Sequence, residues 1–283
     1  MARRVSWRRR MVLLLTLALV VGGVYTAVAF VQRSEVLITE RCTAEGAGTD
    51  DLAPDQAANA GLISAVAVRR GLPARAASIA LATAMQESKI RNIGHGDQAG
   101  PDSRGLFQQR PSQGWGTTAQ VMDPYHAANA FYDALVKVPN YQTLDITVAA
   151  QRVQRSAYPN AYAQHEGMAR SFASSLTGQT AAGVDCALRE PDAAGDPAAV
   201  QERVTSDFGA VPAATEGRSL VLEADGTRAW ALAQWAVANA KALSVTEVQV
   251  DGRSWTRQER NGWQSAQVPA GQVRITVAEG PAQ

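Results

Sequence analysis

Residues 73–89 read PARAASIALATAMQESK, and this stretch decides the fold. Pro73 suits a helix start, and Ile79, Ala80, Ala84 and Met85 recur at the spacing of one helical face. A helix is expected from Pro73 to about Ser88. Its last turn carries Glu87, where a carboxylate faces the negative end of the helix dipole. Dipole and burial both penalise the anion and raise the carboxyl pKa. A Glu held protonated near neutral pH is equipped to act as a general acid. Sequence features that break a local preference concentrate at functional sites. Lys89 would pull the pKa down again if its ammonium turned inward.

Outward from this helix, residues 55–178 carry helical punctuation throughout. Asp55 is suited to cap a helix running to about Arg70, with Leu62, Ile63 and Val66 inward and Gly71 as its stop. A helix is expected after Asp123-Pro124 to about Val138, with Ala127, Ala130, Phe131, Ala134 and Leu135 inward. Two more cover about 147–155 and 160–176. Five helices and one long Gly-rich loop predict a compact, mostly α domain. Gly and Pro crowd residues 179–218, which read as a linker with a short helix near 198–207. Residues 219–283 read as a small α+β domain. Its parts are a strand over 219–224, a helix from Thr227 to Leu243, a half-buried strand over 245–250, an Asp251-Gly252 hairpin turn and a last strand over 273–277. Trp230, Trp235, Trp255 and Trp263 are expected to pack against the sheet, with a glycan platform as the alternative.

At the other end, residues 1–10 form a basic tail, and no charge falls between Arg10 and Arg33. About 20 apolar residues cross a bilayer core, and Met11–Val31 is 21 residues long. The run reads as a transmembrane anchor; a signal sequence cut at Ala27-Val28-Ala29 is the alternative. Arginine before the run and acids after it place the N-terminus in the cytoplasm and the body outside the cell membrane, secreted if the signal is cleaved. Residues 32–54 read as a polar, acidic tether. Cys42 and Cys186 both fall on the exported side, where disulfides persist, and are expected to pair. The chain has 27 Lys and Arg against 26 Asp and Glu. That balance excludes a generic nucleic-acid binder. The basic head masks a body that is acidic overall but locally basic over 52–178.

Chemistry gathers after the Gly-rich loop Asn92–Arg104, whose His95, Asp97, Asp102 and Ser103 are unusual. GLFQQRPSQGWG, residues 105–116, combines stiff Pro111 with the amides of Gln108, Gln109 and Gln113. Ser112 adds a hydroxyl, and Trp115 a platform suited to a sugar face. Tyr125 and Tyr132 follow in DPYHAANAFY. Glu87-Ser88, then Gly105-Leu106-Phe107-Gln108, then Asp123-Pro124 with Asn129 form an ordered series. In these residues the segment 55–178 resembles the lysozyme-like lytic transglycosylases that act on bacterial peptidoglycan. It is most similar to exported wall-associated proteins of high-GC Gram-positive bacteria.

The resemblance implies a lysozyme-like fold with Glu87 as the single acid/base. Glu87 would protonate the glycosidic oxygen and then take a proton as the sugar's 6-hydroxyl closes an anhydro ring. The substrate N-acetyl group would replace the second carboxylate of ordinary glycosidases. It also implies that Gln108 binds the sugar and that Ser88 orients Glu87 or the substrate. Gln109, Trp115, Tyr125 and Asn129 are expected along the same groove. The family's late Tyr-Asn-Ala-Gly segment is replaced here by AAQRVQRSAYPNAY, residues 149–162. Gln151 or Gln154 is expected to take the place of its Tyr, or Tyr158 or Tyr162 reaches in from the next turn. Glu166 reads as solvated, and Arg152 and Arg155 as a solvated helix face flanking the groove. No cofactor and no metal is expected: His95, His126 and His165 lie far apart, and Asp97 and Asp102 lack calcium-loop spacing. The expected partners are peptidoglycan strands and, through residues 11–31, the membrane. A non-catalytic wall-binding protein, or an assembly component of a secretion or conjugation machine, is the alternative.

Overall fold

A computed structural model describes residues 12–26, 38–46, 48, 50–98, 100–156 and 160–280. The chain divides into two units, Met1–Thr39 and Glu40–Gln283. In the first, residues 12–26 form an exposed helix, α1. The basic tail 1–10, both ends of the expected 11–31 span and the start of the tether lie outside the described residues. Among the described residues no helix is long and apolar enough to cross a membrane.

The second unit opens with β1 (Arg41–Ala44), which pairs antiparallel with β2 (Val184–Ala187) and sets Cys42 opposite Cys186. The two sulfurs are bonded. The last part of the expected tether is therefore a strand. Between β1 and β2 lie α2 (Pro54–Arg69), α3 (Ala74–Ser88), α4 (Thr118–Met122), α5 (Pro124–Leu135), α6 (Ile146–Gln154) and α7 (Glu166–Leu176). Ala53, not Asp55, caps α2; Asp55 sits in the first turn and bonds Arg91 at 2.6 Å. Helix α5 starts after Asp123 as expected, and Asp123 caps it through the N–H of Tyr125. The short α4 was not anticipated; Thr117 and Gln120 close its capping box. Residues 160–165 turn rather than continue α7.

Helix α3 is the axis of this half. It packs against α2, α5, α6 and α7, so Ala76 to Ala84 is buried without interruption. Only a helix of small side chains can be enclosed on so many sides, because each neighbour must come close to its backbone.

The chain beyond α7 departs from expectation. Residues 179–218 hold β2, α8 (Pro197–Phe208) and β3 (Ala213–Glu216) rather than a linker. The short helix was foreseen; the packing was not. Val184, Val200, Val204 and Phe208 are buried. A Cβ on Gly195 would come within 2.4 Å of the Val277 side chain, so this glycine marks close packing and not slack. The rest is β4 (Ser219–Glu223), α9 (Gly226–Ala238), β5 (Val245–Val250), β6 (Arg253–Thr256), β7 (Gln264–Ser265) and β8 (Gln272–Val277). Six strands form one antiparallel sheet in the order β3-β4-β8-β5-β6-β7, with β5 and β6 joined at Asp251-Gly252. The architecture is mixed α and β: a helical half and a sheet half.

The halves share one core. Helix α9 lies on β5 and β8 and also against α2 and α7. Its two tryptophans are both interior: Trp235 is fully buried, and Trp230 meets Trp263 at 5.4 Å. Trp255 is buried too. All four indoles pack inside, as the sheet-packing expectation held, and none is left as a glycan platform. Gln234 fastens the joint. Its Oε1 accepts from Gly183 N and Val184 N, and its Nε2 donates to the Ser175 and Thr180 carbonyls. Gln234→Leu keeps the volume but strands the N–H groups of Gly183 and Val184 and the Thr180 carbonyl, while the Ser175 carbonyl keeps Gly178 N. Each such group costs about 1–3 kcal/mol. We expect a loss of at least about 3 kcal/mol by urea denaturation, against less than about 0.5 kcal/mol for exposed Gln201→Leu. Equal losses in the two variants would mean that Gln234 does not secure the joint.

Candidate active site

The site is built outward from the end of α3. Glu87 lies in its last turn, and Lys89 follows as an exposed left-handed cap at φ 57°. Ile90 is also left-handed, at φ 54°, which is rare for a β-branched residue. That turn is held from α2. Gln56 donates to the Lys89 carbonyl at 2.7 Å, and Asn59 to the Ile90 carbonyl at 2.8 Å. A backbone conformation costing about 1–3 kcal/mol persists only where its surroundings fix it. Here it ends the helix abruptly just behind the carboxyl.

Ser88 does not touch Glu87. Its hydroxyl donates to the Leu106 carbonyl at 2.7 Å and accepts from Arg91 N, clamping the helix end to the GLFQ segment. That segment is seated by Gly105, where a Cβ would fall 2.1 Å from the Val121 carbonyl oxygen. Phe107 stacks on Phe131 at 4.6 Å, beneath the site. The wall beyond it is ordered. Hydrogen bonds from Ser112 and Arg110 to Asp102 span the loop and hold that carboxyl well below the usual carboxylate range.

Two side chains reach Glu87. Tyr162, from the turn before α7, donates its hydroxyl to Oε1 at 2.7 Å. Gln154, in the last turn of α6, donates to the Phe107 carbonyl at 2.8 Å and lies close enough to the carboxyl to favour its anion. Of the four candidates for the missing Tyr, two therefore converge. Gln151 instead donates to the Ser156 carbonyl, and Tyr158 lies outside the described residues. Glu87 is largely buried, and that burial raises its pKa; the charge of Asp97 raises it further, while Tyr162 and Gln154 act in the other direction. Burial also pushes the Tyr162 phenol far above its ordinary value, helped by the carboxyl beside it. The arrangement is a carboxyl kept protonated above the usual range and oriented by a phenol.

The remaining expected residues divide. Trp115 is half-buried and lines a cleft of about 690 Å³ together with Gln154. Gln108 turns back on its own loop, with its amide 3.3 Å from the Gly105 carbonyl. Three others hold the scaffold through side-chain hydrogen bonds within the protein. Gln109 is 1% exposed and bonds the Ala127 carbonyl. Asn129 bonds Tyr125 O and receives Arg70. Tyr125 donates to Asp207 of α8 at 2.6 Å. Glu166, expected to be solvated, is paired with Arg170 and Arg75. His126 meets the Trp115 carbonyl and His165 meets Gln86. Among the described residues no three His, Cys, Asp or Glu side chains gather as a metal site. Sequence reading missed Asp97 as a neighbour of Glu87, since a ten-residue separation across an irregular loop carries no periodic signal. It also missed Lys137, which lines the cleft from the turn after α5.

Compared with models of known protein families and with curated proteins, the chain matches none.

A direct titration checks the electrostatics. Carbon-13 NMR of labelled Glu side chains should place Glu87 above the other glutamates. Tyr162→Phe removes a donor that favours the anion, so the Glu87 pKa should rise further. A fall, or no change, would show that the phenol does not act on the carboxyl.

Proposed function

We propose that this chain is an exported lytic transglycosylase that cleaves the glycan strands of peptidoglycan. The observation that carries the reading is the largely buried Glu87 carboxyl, raised in pKa, bonded by Tyr162 and neighboured by Gln154, which lines a cleft in a helical scaffold. A carboxyl in that state donates a proton to a leaving oxygen. Glu87 would protonate the glycosidic oxygen as the C–O bond breaks. The neighbouring N-acetyl oxygen would stabilise the positive charge left on the sugar carbon. Glu87, now an anion, would take the proton of the 6-hydroxyl as that oxygen closes the anhydro ring. The Tyr162 hydrogen bond suits this second role, because it steadies the anion between the two proton transfers. The proton given up is regained, so one carboxyl suffices. The disulfide supports an oxidising compartment, and the uncharged run 11–31 supports a membrane anchor for a body held outside the cell.

Zymography on purified wall tests the reading. Glu87→Gln should lower clearing by roughly 10²–10⁴-fold, as loss of a general acid does. Equal failure of wild type and variant to clear the gel would sink the enzyme reading and leave a wall-binding protein. Mass spectrometry of released fragments should find anhydro ends; reducing ends alone would show hydrolysis instead.

The pH profile gives a separate check. The first step needs protonated Glu87, so activity should decline as pH rises through its raised pKa. Tyr162→Phe raises that pKa, so the residual activity should decline at higher pH than in the wild type. A limb that moves to lower pH would contradict the assignment of Glu87 as the acid.

A further inference from the structure

Gln154, a neighbour of Glu87, lines a cleft that is cationic. Lys137, Arg152 and Arg155 line it, together with Gln113 and Trp115. Among the described residues no Asp or Glu lines it, although acids are almost as numerous as bases in the chain. All three cations are exposed, and none forms an ion pair among the described residues. Elsewhere in the helical half, Arg70, Arg75, Arg91, Arg110 and Arg170 all have carboxylate partners.

The helix dipole accounts for part of this. Arg152 is in the last turn of α6 and Arg155 is its cap, where positive charge is favoured. It does not account for Lys137, which comes from another element and lines the same cleft. Nor does it explain why Arg155 occupies a left-handed position, φ 53°, that glycine or asparagine normally takes. Three like charges around one concavity leave a field that an anion would relieve. The same turn of α6 carries Gln154, which neighbours Glu87. A group bound by the cations is thereby placed at a fixed offset from the reacting carboxyl.

We propose that Lys137, Arg152 and Arg155 bind an anionic substituent of the glycan next to the bond that is cleaved. The inference rests on the peptidoglycan reading above. The N-acetylated sugar rings are neutral, so the charge must belong to a group attached to them. A carboxylate, of the lactyl ether or of the peptide stem joined to it, and a phosphodiester of an attached polymer share the required chemistry. The cleft selects strands that carry such a group, and Trp115 supplies the apolar face beside it.

Binding separates this from catalysis. The Glu87→Gln protein, with and without the triple change Lys137→Gln, Arg152→Gln and Arg155→Gln, is cosedimented with purified wall at low salt. The triple change should weaken binding about tenfold, given the modest contribution of each exposed charge. Rising salt should erase the difference. The probes are then intact wall, wall stripped of phosphate polymer by hydrofluoric acid, wall whose carboxylates are converted to neutral amides with carbodiimide and ammonia, and wall treated both ways. The difference should vanish on doubly treated wall, and the single treatment that removes it identifies the source. Equal binding of the two proteins to intact wall would overturn the proposal. An undiminished loss on doubly treated wall, or no binding of the parent to any wall, would do the same. If zymography shows no role for Glu87 while the triple change still abolishes salt-sensitive wall binding, the enzyme reading falls and the anion site stands.

Discussion

The enclosure of α3 is the constraint from which the rest of the helical half follows. Alanines along this helix let four others close upon it. A helix sheathed in this way delivers its last residues into the interior unless the chain turns sharply. The turn is made by two consecutive left-handed residues, Lys89 and Ile90, held by amides from α2. Lys89 is thereby sent to solvent while Glu87 stays within. The carboxyl's raised pKa is therefore a consequence of packing decided over three helical turns, more than of any single neighbour.

Helix positions, the start of α5 after Asp123-Pro124, the hairpin at Asp251-Gly252 and the cysteine pairing were legible because each depends on local spacing or local chemistry. Division of the body into separate domains was the reading that failed. Glycine and proline between 179 and 218 looked like slack, yet Gly195 is glycine because Val277 sits where a side chain would be. A glycine that frees the chain and a glycine that admits a neighbour are identical in sequence. Likewise, Ala-rich α9 gave no sign that it would be buried against both halves. Its apolar residues were visible; the number of faces they had to satisfy was not.

The site was legible where it conflicted with local preference. Glu87 could be singled out because nothing in its own helix favours it. Tyr162 and Gln154 were present among several candidates, but choosing between them required the fold of residues 155–165. The misplaced residues share one cause. Gln109, Tyr125 and Asn129 follow the same motifs as the chemistry, yet they hold the scaffold that presents it. A motif records what must be kept in place, and a residue that positions a loop is indistinguishable by sequence from one that touches a sugar.

Glu87 and Asp207 together show what distinguishes a reacting carboxyl from a structural one. Burial raises the pKa of both. Asp207 has no exposed side-chain surface and is surrounded: Tyr125 and Arg203 donate to Oδ1, and Trp235 and Arg203 to Oδ2. Every direction from which a ligand could approach is filled by a donor of the protein, so its charge serves only to join α8 to α5 and α9. Glu87 keeps part of its surface open, and its neighbour Gln154 lines a cleft. A perturbed pKa marks both residues equally. It is the unfilled coordination around Glu87 that leaves a proton available to something outside the protein.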